Sequence, residues 1–500
     1  MAVTTPSVNQ SSNVNNANAN YTPALIVLTS LFFMWGFITC LNDILIPHLK
    51  AIFDLTYFQV MLIQFTFFTA YAIVSLPSGI LVEKIGYKSG IILGLLTAAV
   101  GTALFYPAAG YRSYGIFLFA LFVLASGITL LQVAANPYVA ILGKPETASS
   151  RLNLSQAFNS LGTTIAPIFG SILILSVAVH GADTIAGMSM QEAEAYKIME
   201  ANSVQTPYLI LTGMLVLIAI LFMLFKLPKI EAATPVTEDG QASGDDNNHK
   251  SAWQYKHLVL GAGAIFVYVG GEVAIGSFLV NYFNELMQMP EAEAGKYVAL
   301  YWGGAMIGRF FGSITLSGMT NTRKKNIYAS LVFVLALVLA LYITKEYQNL
   351  TSFSLSGFGK TLTFLVLVGL NFLAFNLGNR KPGRTLSILA VCAAVLVVIS
   401  MLTYGQFAMW SILAVGLFNS IMFPTIFTLA IHGLGKHTGQ GSGILCTAIV
   451  GGAIIPVIQG YFADTIGIHH AFFLPVLCYI YIAYYGIKGH IPAFQKTVKA

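Results

Sequence analysis

Long apolar runs separated by short polar segments dominate the chain. A helix needs roughly 20 apolar residues to cross the hydrocarbon core of a bilayer, and runs of that kind recur from residue 24 onwards. The pattern predicts fourteen membrane-spanning helices, six before a polar stretch at Lys229 to Ser251 and eight after it. The predicted spans lie near residues 24–47, 59–82, 89–107, 114–142, 152–178, 207–226, 256–283, 294–318, 326–345, 358–377, 385–403, 407–433, 441–463 and 469–487.

The composition supports a bilayer as the solvent of the chain. Only 9% of the residues are charged and 56% are hydrophobic, whereas soluble domains are about 25% charged. Charged side chains are costly in lipid, which explains the deficit. We therefore expect an all-α polytopic membrane protein. The net charge of +6 is scattered between apolar runs, so it indicates no nucleic-acid surface. The cysteines lie inside apolar runs, which predicts neither disulfides nor a metal site.

The distribution of basic residues predicts the topology. With alternating spans and a cytoplasmic N-terminus, nineteen of the 25 Lys and Arg residues fall on the cytoplasmic side, as the positive-inside rule requires. Both termini should be cytoplasmic. The Asn/Ser-rich start lacks the basic region of a secretory signal. The expected organisation is a disordered tail (1–23), an N-terminal six-helix half (24–228), a cytoplasmic linker (229–252) and a C-terminal half (253–500).

The two halves repeat one arrangement of proline residues. Asn136-Pro137 is followed 30 residues later by Pro167, and Phe423-Pro424 is followed 32 residues later by Pro456. Each pair joins a long span, a short basic loop and a second span that contains Gly and Pro. Parallel repeats of this kind are typical of transporters, whose substrate site lies between the repeats near the middle of the membrane.

The loop after the second predicted span resembles the signature of the major facilitator family. The segment from Gly79 to Lys88 reads Gly-Ile-Leu-Val-Glu-Lys-Ile-Gly-Tyr-Lys, against G-x-L-x-D-R-x-G-R-K/R in the family. Tyr87 departs from a basic position. The resemblance implies that these charges pair across the halves when the inner gate is closed. The residues we assign to the gate are Gly79, Glu83, Lys84, Gly86, Lys88 and Arg309.

Further segments are similar to the L-fucose/proton symporter family. They are residues 41–47, 134–138, 151–160, 423–427 and 451–456, and residues 130–133 and 268–274 resemble its glucose/galactose branch. The resemblance implies a major facilitator fold and uptake of a hexose together with a cation by alternating access, with no enzymatic activity and no cofactor.

Two departures from that family matter. The fucose symporter has a glutamate where this chain has Gln132, and an amide does not titrate near neutral pH. Two apolar segments at about 321–380 exceed the usual twelve spans. We read them as two extra transmembrane helices, added outside two pseudo-symmetric six-helix halves.

Ionisable residues inside spans are the sharpest functional signal, because each is costly unless it is paired or hydrated. Asp43 in the first span and Glu272 in the seventh are the predicted coupling residues. A sugar offers many hydroxyls and little charge, so amides are the expected substrate-binding groups. Our candidates are Asn42, Gln64, Gln132, Asn136, Gln156, Asn159, Asn281 and Asn419. Gln132 and Asn136, like Gln156 and Asn159, are spaced to share one helical face.

Several alternatives stay open at this point. The coupling ion is a proton by resemblance, with sodium as the alternative because Gln132 removes one titratable group. An N-acetylglucosamine carrier fits the same motifs. A non-transporting sugar sensor fits less well, because only a short polar tail follows the last span. The expected partners are a small sugar, the cation and the lipid bilayer, and we expect a monomer.

Overall fold

The computed structural model describes residues 21–52, 57–111, 113–173, 187–225, 227–228, 250–344 and 358–492. Within these ranges, side chains are described except at residues 41–52, 57–61, 64, 167–173, 193–194, 197–204 and 291–292. Most of the predicted tail and of the predicted linker lies outside the described residues.

The described residues form helices and contain no β-strand. In chain order the helices are α1 (Thr22–Ile52), α2 (Tyr57–Ile85), α3 (Tyr87–Gly110), α4 (Tyr114–Ile141), α5 (Ala148–Leu173), α6 (Met190–Leu224), α7 (Lys256–Met287), α8 (Glu291–Thr315), α9 (Thr322–Thr344), α10 (Gly359–Leu377), α11 (Pro382–Leu402), α12 (Gly405–Asn419), α13 (Met422–Ala430), α14 (Thr438–Thr447), α15 (Gly451–Ile466), α16 (Ile468–Ala471) and α17 (Phe473–Tyr484). The prediction of an all-α protein is confirmed.

Twelve helical stretches in this part of the chain are long and apolar enough to cross a membrane. The pairs α12–α13, α14–α15 and α16–α17 each form one such stretch. Helices α5 and α8 have 26 and 25 residues but are not among the twelve. The two helices contact each other, and polar side chains lie at that contact, among them Ser150 on α5 and Arg309 on α8. The count of fourteen spans, with two of them extra, therefore stays a prediction.

The helices pack as two groups, which we call the N-half (α1–α6) and the C-half (α7–α17). In the N-half, α4 packs on α3 and α2, and α1 packs on α5. In the C-half, α7 packs on α15 and α17, and α11 packs on α12 and α17. The halves meet mainly where α5 lies against α8 and where α2 lies against α14. In this arrangement, α8 contacts both α5 of the N-half and α7 of the C-half.

Helices α9 and α10 correspond to the insertion predicted at about 321–380. They pack on each other and on α8, and α10 also contacts α11 and α12. Their outer faces remain uncovered, and Leu331 and Val338 on α9 are 60% and 58% exposed. Apolar side chains can face outward in this way where lipid replaces water. The two helices thus lie against the C-half, away from the α5–α8 contact.

A tight turn joins α2 to α3 inside the signature segment. Gly86 separates the two helices with φ of +81°, a conformation that costs glycine little and other residues more. A Cβ at this position would meet nothing within 4 Å, so the backbone angle, and not space, calls for glycine. This turn lies at one end of the helix bundle. We call that end, which contains residues 79–88, the motif end.

Candidate functional site

The motif end holds a direct contact between the two halves. Glu83 Oε1 accepts a hydrogen bond from the backbone N of Gln440 at 2.7 Å, at the start of α14. A carboxylate is favourable there because the first amides of a helix point outward and carry partial positive charge. Gly79 makes the approach possible, since a Cβ on it would lie 2.7 Å from the carbonyl oxygen of Gly439. The predicted gate glutamate and glycine therefore sit at the seam between the halves.

The basic residues of the signature have other surroundings. Lys88 Nζ donates to the carbonyl oxygen of Met223 at 2.9 Å, within the N-half, and Lys84 is exposed. Neither takes part in an inter-half hydrogen bond that the described residues show.

Four further hydrogen bonds join the halves near the motif end. They link the first two turns of α5, and the neighbouring helix α4, to α8, α13 and α14. The pairs are Ser149 Oγ with Thr428 Oγ1 at 2.6 Å, Ser150 Oγ to Ser313 O at 2.6 Å, Asn153 Nδ2 to Thr425 Oγ1 at 3.4 Å and Ser442 Oγ to Val133 O at 2.8 Å. The structure is thus a conformation closed at the motif end.

Glu83→Gln is expected to slow transport by about two- to fivefold, because a carboxylate at a helix N-terminus contributes about 0.3–1 kcal/mol more than a neutral group. The glutamine keeps an acceptor oxygen, so the hydrogen bond to Gln440 survives without its charge. Initial uptake rates in membrane vesicles measure the effect, with exposed Glu285→Gln on α7 as the matched control. Equal rates for the two variants would show that the Glu83 charge does not stabilise the closed motif end.

A charged pair occupies the middle of the bundle, where α7, α8 and α5 meet. Arg309 Nη2 lies 3.7 Å from Glu272 Oε1, and the two side chains are only 13% and 10% exposed. Arg309 Nη1 also donates to Ser160 Oγ in the N-half, and its Nε donates to the Ser420 carbonyl at 3.0 Å. One guanidinium therefore contacts the coupling candidate and both halves of the protein.

The salt bridge to Arg309 leaves part of the hydrogen-bonding capacity of the Glu272 carboxylate unused. Its Oε1 makes no hydrogen bond of good geometry, and 3.7 Å is longer than the 2.7–2.9 Å of a charge-assisted hydrogen bond. The pair therefore neutralises Glu272 electrostatically while leaving an oxygen able to accept a proton or contact a cation.

Two of the predicted amide pairs are connected in the N-half. Gln156 Nε2 donates to Asn136 Oδ1 at 3.4 Å, which links α5 to α4. Gln132 Nε2 donates to the Tyr71 hydroxyl on α2. Gln132, Asn136 and Gln156 are all buried. The structure thus brings these three amides to neighbouring positions on the inner side of the N-half.

The fourth member of the two amide pairs, Asn159, stabilises the packing of α1 on α5. Asn159 Nδ2 donates to the Phe32 carbonyl at 3.0 Å, and Thr29 Oγ1 lies 3.3 Å from Ser155 Oγ one turn away. Asn159 is therefore held by α1 in this conformation, and a substrate would have to compete with that bond or use the amide oxygen.

The C-half contributes one predicted amide to a hydrogen-bonded chain. Asn419 Nδ2 donates to the Tyr301 hydroxyl at 2.9 Å, and that hydroxyl donates to the carbonyl oxygen of Glu272 at 3.1 Å. Asn419 is fully buried. The chain fixes the backbone of α7 next to the Glu272–Arg309 pair.

The remaining candidates do not join this group. Asn281 lies two and a half turns beyond Glu272 on α7 and is exposed. Asn42, Asp43 and Gln64 belong to α1 and α2, but their side chains lie outside the described residues.

Sequence reasoning placed Arg309 with the gate, whereas the structure pairs it with Glu272. A usable signal existed, because Arg309 falls well inside the predicted span 294–318 and an arginine there is costly unless it is paired. Tyr71 and Ser160, which hold Gln132 and Arg309, were missed. Single hydroxyl residues are too common in membrane helices to indicate a site from spacing alone.

Comparisons with known proteins agree with this geometry. The family model of the Major Facilitator Superfamily matches residues 26–455. A glucose/galactose transporter of Brucella abortus biovar 1 (strain 9-941) is 50% identical over 98% of this chain and 99% of its own. The L-fucose-proton symporter of Escherichia coli K12 is 34% identical over 93% and 92%. A solved structure of the major facilitator transporter FucP, in the outward conformation, is similar with a TM-score of 0.73 at 33% identity, covering 93% of this chain and 98% of that one.

Two helical halves that meet at a polar, charged interface inside a bundle of membrane-spanning helices define a multi-pass membrane transporter. The chain belongs to the major facilitator superfamily, as its loop signature predicts. The resemblance to the L-fucose/proton symporter family is confirmed, and the family is one of transporters and not of enzymes.

Proposed function

We propose that the protein is a secondary active transporter that imports a hexose of the glucose/galactose type together with a proton. The observation that carries the proposal is the buried Glu272–Arg309 pair at the contact between the halves. The 50% identity to a protein named glucose/galactose transporter and the 34% identity to one named L-fucose-proton symporter support the substrate class and the coupling.

Coupling follows from competition for one carboxylate. While Glu272 is ionised it attracts Arg309, and Arg309 simultaneously holds Ser160 of the N-half. A proton that binds Glu272 removes the attraction, because a neutral carboxyl no longer attracts a guanidinium. Arg309 is then free to change partners, and the contact between the halves loosens. Asp43 is proposed as a second coupling carboxylate on α1.

The sugar is proposed to bind between the halves at the level of this pair. Gln132, Asn136, Gln156 and Asn159 line the N-half side, and Asn419 lies on the C-half side. Amides both donate and accept hydrogen bonds, which matches the hydroxyls of a neutral sugar. Asn42, Gln64 and Asn281 remain proposed contributors, the last for a conformation different from this one.

We place the motif end at the cytoplasm of a bacterial cell, in the inner membrane. Its loops carry Lys84, Lys88 and Lys144, as the positive-inside rule favours for cytoplasmic loops. A conformation closed at this end would then be outward-facing. Both termini are proposed to be cytoplasmic, and residues 229–252 are proposed to be a cytoplasmic linker between the halves. The transporter is proposed to act as a monomer in the lipid bilayer.

Purified protein in proteoliposomes is expected to accumulate labelled glucose or galactose when a pH gradient, acidic outside, is imposed. Fucose and N-acetylglucosamine serve as comparison sugars, and a sodium gradient at equal pH serves as the comparison driving force. Accumulation that needs the pH gradient alone supports proton symport. Sugar binding without any flux would contradict the proposal and favour a sensor.

Sodium coupling is the second candidate. It is favoured by one observation, the glutamine at position 132 where the fucose symporter has a titratable glutamate. Accumulation driven by the sodium gradient with no response to pH would select it. The role of Glu272 as the cation-binding carboxylate is the same under both candidates.

A further inference from the structure

The inner side of the C-half contains buried polar atoms that the protein itself leaves without a hydrogen bond of good geometry. They are the hydroxyls of Tyr268 on α7 and Tyr479 on α17, and the Oδ1 atom of Asn419 on α12. The three residues are 1%, 0% and 0% exposed. Such atoms are uncommon in folded proteins, where buried polar groups nearly always find a partner.

These atoms belong to one cluster, with Tyr301 at its centre. The Tyr301 hydroxyl bonds Asn419 and the Glu272 carbonyl, and it lies within electrostatic range of both Tyr268 and Tyr479. Tyr479 is in turn next to Asn419 and Tyr301. We call Tyr268, Tyr301, Asn419 and Tyr479 the tyrosine cluster.

Among the four predicted amides of α4 and α5, one atom, Asn136 Nδ2, lacks a hydrogen bond of good geometry, whereas the tyrosine cluster contains three such atoms. Gln132, Gln156 and Asn159 donate to protein acceptors in this conformation. In the cluster, the Tyr268 hydroxyl lies near Glu272 and Arg309, and the Tyr479 hydroxyl lies near Asn419 and Tyr301. Neither hydroxyl, nor Asn419 Oδ1, makes a hydrogen bond of good geometry with these neighbours. Phenylalanine would fill the same space at Tyr268 and Tyr479 without burying an unsatisfied hydroxyl, so packing alone does not call for tyrosine.

We propose that the tyrosine cluster is a hydroxyl-binding subsite of the C-half that contacts the transported sugar through Tyr268, Tyr479 and Asn419 Oδ1. The proposal rests on the proposed function and deepens it. A sugar hydroxyl has one donor and two acceptor sites, so it can donate to Asn419 Oδ1 and accept from the hydroxyls of both Tyr268 and Tyr479, which satisfies all three atoms without any added charge. The atoms are covered in this conformation, so the subsite opens only when the halves move or the covering side chains rearrange.

The contact with Glu272 gives the subsite a second consequence. Tyr301 fixes the backbone of Glu272, and Glu272 lies against Arg309. A sugar bound at the cluster therefore touches the same group of side chains that we propose for the cation. Sugar specificity and ion coupling then share one region of the C-half.

The test uses competition by deoxy sugars in proteoliposomes of the full chain. Glucose and its 2-, 3-, 4- and 6-deoxy forms compete with labelled glucose for the wild type, Tyr268→Phe and Tyr479→Phe. Loss of one well-placed hydrogen bond weakens binding by about tenfold. We expect at least one deoxy sugar to compete about tenfold less well than glucose with the wild type. One tyrosine variant should then bind glucose about tenfold more weakly and no longer distinguish it from that deoxy sugar.

Tyr485→Phe is the matched control. Tyr485 is also fully buried, but its hydroxyl already donates to the His257 carbonyl at 3.3 Å, so its removal should leave the order of the deoxy sugars unchanged. Sugar-induced thermal stabilisation in detergent reports binding independently of transport. The subsite is overturned if Tyr268→Phe and Tyr479→Phe both keep the wild-type order, if Tyr485→Phe changes it equally, or if the wild type distinguishes none of the deoxy sugars.

Failure of the subsite and failure of the proposed function are distinguishable. A wild type that takes up glucose but shows unchanged tyrosine variants contradicts the subsite alone. A wild type that neither binds nor transports any of the tested sugars contradicts the proposed function and the subsite together.

Discussion

Glu272→Gln is expected to abolish concentrative sugar uptake, which for a one-proton symporter lowers accumulation by up to about tenfold per pH unit of the imposed gradient, while sugar exchange at equal concentrations stays within about threefold of the wild type. The amide keeps the shape of the carboxyl but binds no proton and carries no charge. The ion gradient can then no longer drive sugar accumulation, because residue 272 binds no cation, whereas the contacts with the sugar remain. Labelled glucose uptake under a pH gradient and counterflow exchange without a gradient separate the two effects in the same vesicles.

The variant has a structural side effect that the design must control. Glu272→Gln leaves Arg309 as an unpaired charge in a site that is about nine-tenths buried, and such a charge costs about 3–5 kcal/mol. The double variant Glu272→Gln/Arg309→Gln removes both charges and should recover membrane yield without recovering accumulation. Glu285→Gln, on the exposed side of the same helix, should behave like the wild type.

The coupling assignment has a clear contrary result. If Glu272→Gln still accumulates sugar within about threefold of the wild type in a gradient-dependent way, Glu272 is not the coupling carboxylate. The coupling role would then be assigned to Asp43 alone, which Asp43→Asn tests in parallel. Loss of accumulation in Asp43→Asn as well as in Glu272→Gln would indicate two carboxylates that act in series.

The helices and the class of protein were predictable because the bilayer imposes a length and a composition on each span. The apolar runs of α3, α4 and α11 coincide with the observed helices to within a few residues. The sequence also predicted spans at 152–178 and 294–318, but the corresponding helices α5 and α8 are not among the twelve stretches that are apolar enough to cross a membrane. They carry polar side chains where they contact each other. The hydropathy of a helix reflects the environment that its surface faces, and the contact between α5 and α8 is with protein and not with lipid.

The amide pairs were predictable for a similar reason, whereas the partner of each charge was not. Spacing along one helix places Gln132 and Asn136 on a common face without any knowledge of the fold. Arg309 and Glu272 lie on different helices, and Glu83 meets Gln440 across 357 positions of the chain. Contacts between helices depend on how the helices are turned and tilted, and no periodicity within one helix contains that information.

Gly79→Leu is expected to reduce uptake by about 5- to 100-fold by separating α2 from α14. A Cβ at Gly79 would lie 2.7 Å from the Gly439 carbonyl oxygen and 3.2 Å from the α-carbons of Gln440 and Gly443. Backbone atoms cannot rotate away, so the added side chain pushes the helices apart, and overpacking of this kind costs about 1–3 kcal/mol. The cost falls only on the conformation closed at the motif end. The protein should therefore spend more time with that end open.

Accessibility at the motif end distinguishes this effect from simple misfolding. Ser149 is buried against Thr428 of the other half, so a thiol introduced by Ser149→Cys, in a chain whose four cysteines are replaced, should be shielded in the parent and react about tenfold faster beside Gly79→Leu. Gly213→Leu is the control, because a Cβ there meets nothing within 4 Å. Unchanged labelling with full uptake would mean that the α2–α14 contact yields without opening the motif end. Faster labelling confined to Gly79→Leu would tie the close approach of these two helices to the closed state, and hence the signature glycine to the transport cycle.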